Sequence, residues 1–254
     1  MFAPPRAIYV HVPFCHRRCG YCNFTVVAGR ADLHQVYLQA LAREIQDLPT
    51  PLPVDTLYIG GGTPTELSPP DLAHLCDLLR TGFPPQSGYE WSVEANPRGL
   101  DRTKLEILRA AGVNRLSLGV QSFHARKLQR LERDHRAEDV TRVFPHVRER
   151  FPSVSIDMIC AVPGESLDEW QADLRSALAL APDHLSIYSL TWEKGTTYWG
   201  RLLRGQLTPV DEETQRAMLE TAWDWLAREG WEHYEVSNFA RPGHRSRHNE
   251  VYWR

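Results

Sequence analysis

Six short apolar or β-branched runs, at 7–14, 55–59, 89–94, 115–120, 154–159 and 184–190, are separated by segments with helical periodicity. Their starts lie roughly 25–50 residues apart, room each time for a strand, a crossover helix and a return. Between them Tyr37, Leu41, Ile45 and Leu48 form one helical stripe, and Trp170, Leu174 and Leu178 another. Ser68, Ser166 and Thr208 each precede an acid by three residues, the spacing of a helix N-cap, and the last helix is expected over 212–228. This pattern predicts an α/β chain with a parallel sheet curling into a partial (β/α)6 barrel. Periodicity alone leaves a doubly wound open sheet as the alternative. In either case ligands gather at the carboxyl ends of the strands.

With 254 residues the chain is long enough for one large domain or two small ones, and 42% hydrophobic with 24% charged residues is ordinary globular composition. Twenty-nine basic against 32 acidic residues give a net charge of -3, so no bulk field attracts nucleic acid or an anionic membrane. No apolar run is long enough to span a bilayer and the first residues lack a signal-peptide stretch, which predicts a cytoplasmic protein with no transmembrane segment. Five cysteines, three of them within eight residues, argue for a reducing compartment rather than a disulfide framework.

Those three form Cys15-x3-Cys19-x2-Cys22, directly after the first strand. Three thiolates on one loop suit a 4Fe-4S cluster that keeps one iron open. A structural zinc site, with His16 as fourth ligand, is the competing reading. Cys76 falls in a helical stripe with Leu72, Leu75 and Leu79, and Cys160 ends the fifth strand, so both are expected to be core thiols. The other strand ends carry Gly60-Gly61-Gly62-Thr63-Pro64, Glu94, Gln121 and Asp157. Each alone reads as a turn or a cap. On successive strand ends beside a cysteine loop they read as one ligand site, where the glycines would let backbone amides approach a ligand.

This combination resembles the radical S-adenosylmethionine (SAM) proteins of the oxygen-independent coproporphyrinogen III oxidase type, over essentially the whole chain. The resemblance implies a 4Fe-4S cluster on Cys15, Cys19 and Cys22 whose open iron is chelated by SAM, and reductive cleavage of SAM to methionine and a 5′-deoxyadenosyl radical. It implies packing roles for Tyr9 and Tyr21, the methionine end of SAM on Gly61, Gly62 and Thr63, and polar SAM contacts from Glu94, Gln121, Arg133 and Asp157. Decarboxylating oxidases of this type carry a fourth cysteine where this chain has Phe24, and an N-terminal extension before the first strand. Both departures favour the related heme chaperone group.

The tail His248-Asn249-Glu250-Val251-Tyr252-Trp253 is similar to the H-N-x-x-Y-W motif of that group. It implies heme contact through His248, Tyr252 and Trp253, with Arg241, Arg245 and Arg247 available to propionates. The implied function is binding heme and delivering it to apo-hemoproteins, with an electron donor to the cluster, no nucleic-acid partner and a homodimer left open. The alternatives are the oxidase itself, or a zinc-stabilised scaffold without redox chemistry. The resemblance divides the chain into a radical SAM core at 1–205 and a C-terminal α/β region starting at 206. Because such proteins continue past the motif, that region is expected to be cut short and its tail loose.

Overall fold

The computed structural model describes residues 5–253. Residues 1–4, read above as lacking a signal-peptide stretch, and Arg254 lie outside the described residues. The strands are β1 (Ala7–Val12), β2 (Phe14–Cys15), β3 (Val27–Ala28), β4 (Val54–Gly61), β5 (Pro85–Ala95), β6 (Arg115–Gln121), β7 (Ser153–Cys160), β8 (His184–Ser189), β9 (Glu232–His233) and β10 (Asn238–Ala240). The helices are α1 (His34–Gln46), α2 (Pro69–Gly82), α3 (Arg102–Ala111), α4 (Ala125–Arg130), α5 (Ala137–Arg150), α6 (Leu167–Ala179), α7 (Thr197–Leu203), α8 (Glu212–Arg228) and α9 (Arg247–Val251).

The main sheet runs β1-β4-β5-β6-β7-β8-β10-β9. The first six are parallel and lie in sequence order; β10 returns antiparallel along β8, and β9 along β10. A doubly wound sheet reverses its strand order at a switch point, and this one does not, which decides for the partial barrel. The sheet remains open.

In-register residues of neighbouring strands share a face. One face is apolar: Val10, Ile59, Val93, Leu118, Ile156 and Leu185 are all buried. The helices cover it, with α1 against α2, α2 against α3, α3 against α5 and α6 against α8. Trp170 fills this layer and donates through Nε1 to the Met218 carbonyl, 2.8 Å away, tying α6 to α8. Cys76 and Cys160 are buried there as expected. Ser68 and Ser166 cap α2 and α6, while α8 is capped by Asp211 and not by Thr208. The Asp211 carboxylate accepts from the Thr214 amide at 2.9 Å, and an ionised acceptor at a helix N-terminus outcompetes a hydroxyl three residues upstream. The other face of the sheet is concave and polar, and it holds the chemistry.

Candidate functional site

The cysteine loop is pinned at its base by the parallel pairing of β2 with β3, where Val27 N donates to the Pro13 carbonyl at 2.7 Å and Gly29 N to that of Cys15 at 3.0 Å. Inside the loop Cys22 N turns back onto the Cys19 carbonyl. All three thiols are free and half-buried. Cys15 Sγ lies 3.8 Å from Thr63 Oγ1, and Cys19 Sγ 3.8 Å from Arg133 Nη1. Burial pushes the Cys15 thiol up to about 11, against the pull of the Thr63 hydroxyl, and raises Cys22 as well. Among the described residues no three His, Cys, Asp or Glu side chains group around a single-ion site. His16 faces the Glu66 carboxylate, 3.6 Å away, instead of completing a zinc tetrahedron with the thiols.

The glycine run is stitched to that loop. Gly62 N donates to the Val12 carbonyl at 2.8 Å and Thr63 N to that of Phe14 at 2.6 Å, while Gly61 N donates to Glu94 Oε2 at 3.1 Å. A Cβ on Gly62 would sit 2.6 Å from the Phe14 carbonyl oxygen, and Gly61 (φ 106°) would drive one into the His11 ring, so both positions demand glycine. The expectation that these amides are open to a ligand is corrected: all three are engaged within the protein.

Along the concave face the register aligns polar side chains in rows. Tyr9, Tyr58, Ser92, Arg115 and Ser153 form one. The next contains Glu94, Ser117, Ser155 and His184, and Asp157 and Ser186 lie side by side above it. Glu94 accepts from Tyr58 Oη at 2.8 Å, and Asp157 from Ser117 Oγ at 3.0 Å and also from Ser186. Burial and the nearby Asp157 charge push Glu94 up to about 7; burial raises Asp157 too. Both carboxylates remain half-buried and open upward.

Gln121 ends β6 at φ 65°, after a register shift past Gly119. A β-branched or ordinary side chain is strained there, and surrounding structure must hold it. It does: Asp173 of α6 accepts from Ser122 Oγ at 2.6 Å, from Phe123 N at 2.7 Å and from Lys127 Nζ at 2.9 Å. Lys127 also pairs with Glu165, and all three charged groups are buried. The same α4 carries the chain to Arg133, whose Nη2 donates to the Gly119 carbonyl at 2.8 Å. Arg133 Nε is sealed from solvent with no acceptor among the described residues. Tyr21 hydrogen-bonds with Arg133 and meets Tyr198 edge-on. The structure thus gathers Cys15, Cys19, Cys22, Tyr21, Thr63, Glu94, Gln121, Arg133 and Asp157 around the upper mouth of the curved sheet, with Tyr9 one row below Glu94, stacked on Tyr58.

The tail lies elsewhere, across the lower mouth, and it is packed instead of loose. Ser246 and His248 are buried. Glu90 of β5 accepts from Arg247 N and His248 N, each at 3.0 Å, and from the hydroxyls of Ser92 and Ser246. His248 Nδ1 meets Thr56 Oγ1 at 2.9 Å, its ring stacks on Tyr58 (5.2 Å, 28°), and burial lowers its pKa. Tyr252 reaches back to His248 Nε2 at 3.4 Å but is mostly exposed, as is Trp253. His248, Tyr252 and Trp253 therefore do not join the cysteine site, although Tyr58 touches both Glu94 and His248.

Sequence reasoning missed Tyr58, Ser117 and Ser186. Each is polar and stands in register with a site residue of the neighbouring strand: Tyr58 with Tyr9, Ser117 with Glu94 and Ser186 with Asp157, so the signal lay in the strand pairing.

The model of the radical SAM superfamily matches residues 9–177. The chain belongs to the radical SAM superfamily. Among relatives it is 38% identical over 253 residues to heme chaperone HemW of Bacillus subtilis, covering 98% of this chain and 67% of the relative. It is 35% identical to a mitochondrial radical SAM domain-containing protein 1 of Danio rerio, covering 98% of this chain and 57% of that protein. Among solved structures it is similar to the Escherichia coli coproporphyrinogen III oxidase HemN, a radical SAM enzyme, with a TM-score of 0.85 and 30% identity over 94% of this chain and 56% of HemN. The chain thus spans between about half and two thirds of the lengths of the proteins it matches. The superfamily implies a 4Fe-4S cluster and SAM. No helix of the described residues is long and apolar enough to cross a membrane.

Proposed function

We propose that this chain is a SAM-binding 4Fe-4S protein that serves as a cytoplasmic heme chaperone, accepting heme and passing it to apo-hemoproteins. The observation that carries the reading is the likeness to the HemW heme chaperones. The donor set fits the cluster: three soft thiol ligands on one pinned loop, with no fourth cysteine beside them among the described residues. Cys15, Cys19 and Cys22 would hold the irons, and a cluster bound there supplies one electron for cleaving the SAM sulfonium.

The chain's own groups bind and orient. The unpartnered Arg133 Nε is a donor for the SAM carboxylate, and Gln121 and the two raised carboxylates accept from its amino and ribose groups. With their amides engaged, Gly61 and Gly62 would meet the methionine end through carbonyl oxygens, and Thr63 through its hydroxyl. Tyr9 and Tyr21 flank the cofactor. Heme contact falls on the tail. Thr56 holds Nδ1 of His248, leaving Nε2, beside the Tyr252 hydroxyl, as the nitrogen for iron, with Tyr252 and Trp253 offering exposed aromatic faces. An electron donor and an apo-hemoprotein complete the partners.

Heme titration tests the chaperone role. A saturable Soret change in the wild type that is lost in His248→Ala supports it; an identical change in both, or none in the wild type, refutes the assignment. Iron analysis after anaerobic reconstitution tests the cluster, with about four irons and four sulfides per chain expected. One zinc and no sulfide would favour the scaffold reading. The likeness to HemN supports a second reading as an oxidase, which anaerobic turnover of coproporphyrinogen with SAM and reductant would promote.

A further inference from the structure

Arg115 opens β6 on the concave face and is 4% exposed. Its Nη1 donates to Ser153 Oγ at 2.8 Å and to the His244 carbonyl at 3.0 Å. Among the described residues no carboxylate pairs with it and no protein acceptor serves its other N–H groups. A guanidinium stays charged and offers five donors in a planar fork, so most of that capacity is left to whatever fills the cavity beside it.

The fork lines a cavity of about 480 Å³ at the lower mouth, between the bottoms of β5, β6 and β7 and the segment before α9. Arg247 and Arg245 line it as well. Two carboxylates share the wall, and both are committed elsewhere. Glu90 is ringed by four donors, and Glu232 is paired with Arg245 at 2.7 Å. Arg247 Nη1 is fixed on the Gly88 carbonyl and its guanidinium, like that of Arg115, has no carboxylate partner among the described residues. Two positioned guanidinium groups, neither paired with a carboxylate, face a cavity within the size range of small-molecule sites, and with Arg245 they outnumber the two carboxylates on its wall.

We propose that this lower-mouth cavity binds a small oxyanion, the carboxylate or phosphate group of a metabolite, between the guanidinium groups of Arg115 and Arg247. Arginine forks bind either group bidentately, and the Ser153 hydroxyl, which accepts from Arg115, keeps its own proton to donate. The site stands apart from the upper mouth: Arg115 and Gln121 are the first and last residues of the same strand. It does not rest on the SAM reading, and it shares Arg247 with the arginines that the heme reading makes available to propionates, whereas Arg115 belongs to this site alone.

Calorimetric titration of the full chain with inorganic phosphate and, separately, with succinate tests it, against sodium chloride at matched ionic strength. Saturable 1:1 binding of at least one probe is expected, and the stronger arm identifies phosphate or carboxylate as the preferred group. Arg115→Gln, which keeps a donor for Ser153, and Arg247→Gln, on the exposed rim, should each weaken binding at least about tenfold, or 1.4 kcal/mol, with unchanged circular dichroism. If Arg115→Gln does not fold, Arg247→Gln alone decides. No saturable binding beyond the chloride control, or binding untouched by the variants that fold, overturns the site.

Discussion

Glu90 and Glu94 stand four residues apart on one strand and point to the same face of the sheet, yet they live in opposite circumstances. Glu90, at the lower mouth, is surrounded by two backbone amides and two hydroxyls, most of them from the tail. Glu94, at the upper mouth, has one hydroxyl and one amide, and burial together with the facing Asp157 charge pushes its pKa up to about 7. The chain answers its carboxylate with its own donors below, where only guanidinium groups are left for a ligand, and leaves its carboxylates with fewer donors above. Two carboxylates with raised pKa values, a sealed arginine nitrogen and a strained glutamine concentrated at one mouth mark where a ligand belongs.

Substitutions can break that contrast in order of expected effect. The largest is Lys127→Met, which strips the shared cation from buried Glu165 and Asp173 and unbolts the turn behind Gln121. Leaving such charges unpaired should cost about 3–5 kcal/mol in urea unfolding. Next is Glu90→Ala, which orphans the amides of Arg247 and His248; a loss of about 2 kcal/mol is expected, with faster proteolysis near residue 246. The smallest separates the mouths by sign. Glu94 holds its proton in the folded cluster-free chain up to about 7, while in the unfolded chain it releases it near 4.5. The folded state therefore binds the extra proton, and stability falls as pH rises between those values. Glu94→Gln should flatten that decline and stabilise the cluster-free chain at pH 8, whereas Glu90→Ala destabilises it there. A loss of stability for Glu94→Gln at pH 8 would erase the distinction.

Much of the architecture was legible locally. Each of the six apolar runs became a parallel strand, and α8 spans the residues that its periodicity marked. Parity along the strands also foretold that Cys160 faces away from Asp157, since the two lie three residues apart. What could not be read depended on distant partners. Thr56 and His248 meet across 192 residues, so no window of sequence shows that the tail docks into the sheet. The glycine run illustrates a subtler limit. Its composition revealed close backbone approach, but the approaching group is the cysteine loop's own backbone, and the amides are consumed in joining the two. The isolated charges Arg115 and Lys127 look like surface residues in sequence; only the sheet register and the α4–α6 packing bury them.

The most direct test of the upper mouth as the ligand site is equilibrium binding of SAM to the anaerobically reconstituted chain. Saturable binding is predicted, at least about tenfold weaker in Asp157→Asn and lost when Cys15, Cys19 and Cys22 are all replaced by alanine. Equal affinity in the wild type and in both variants would contradict the account.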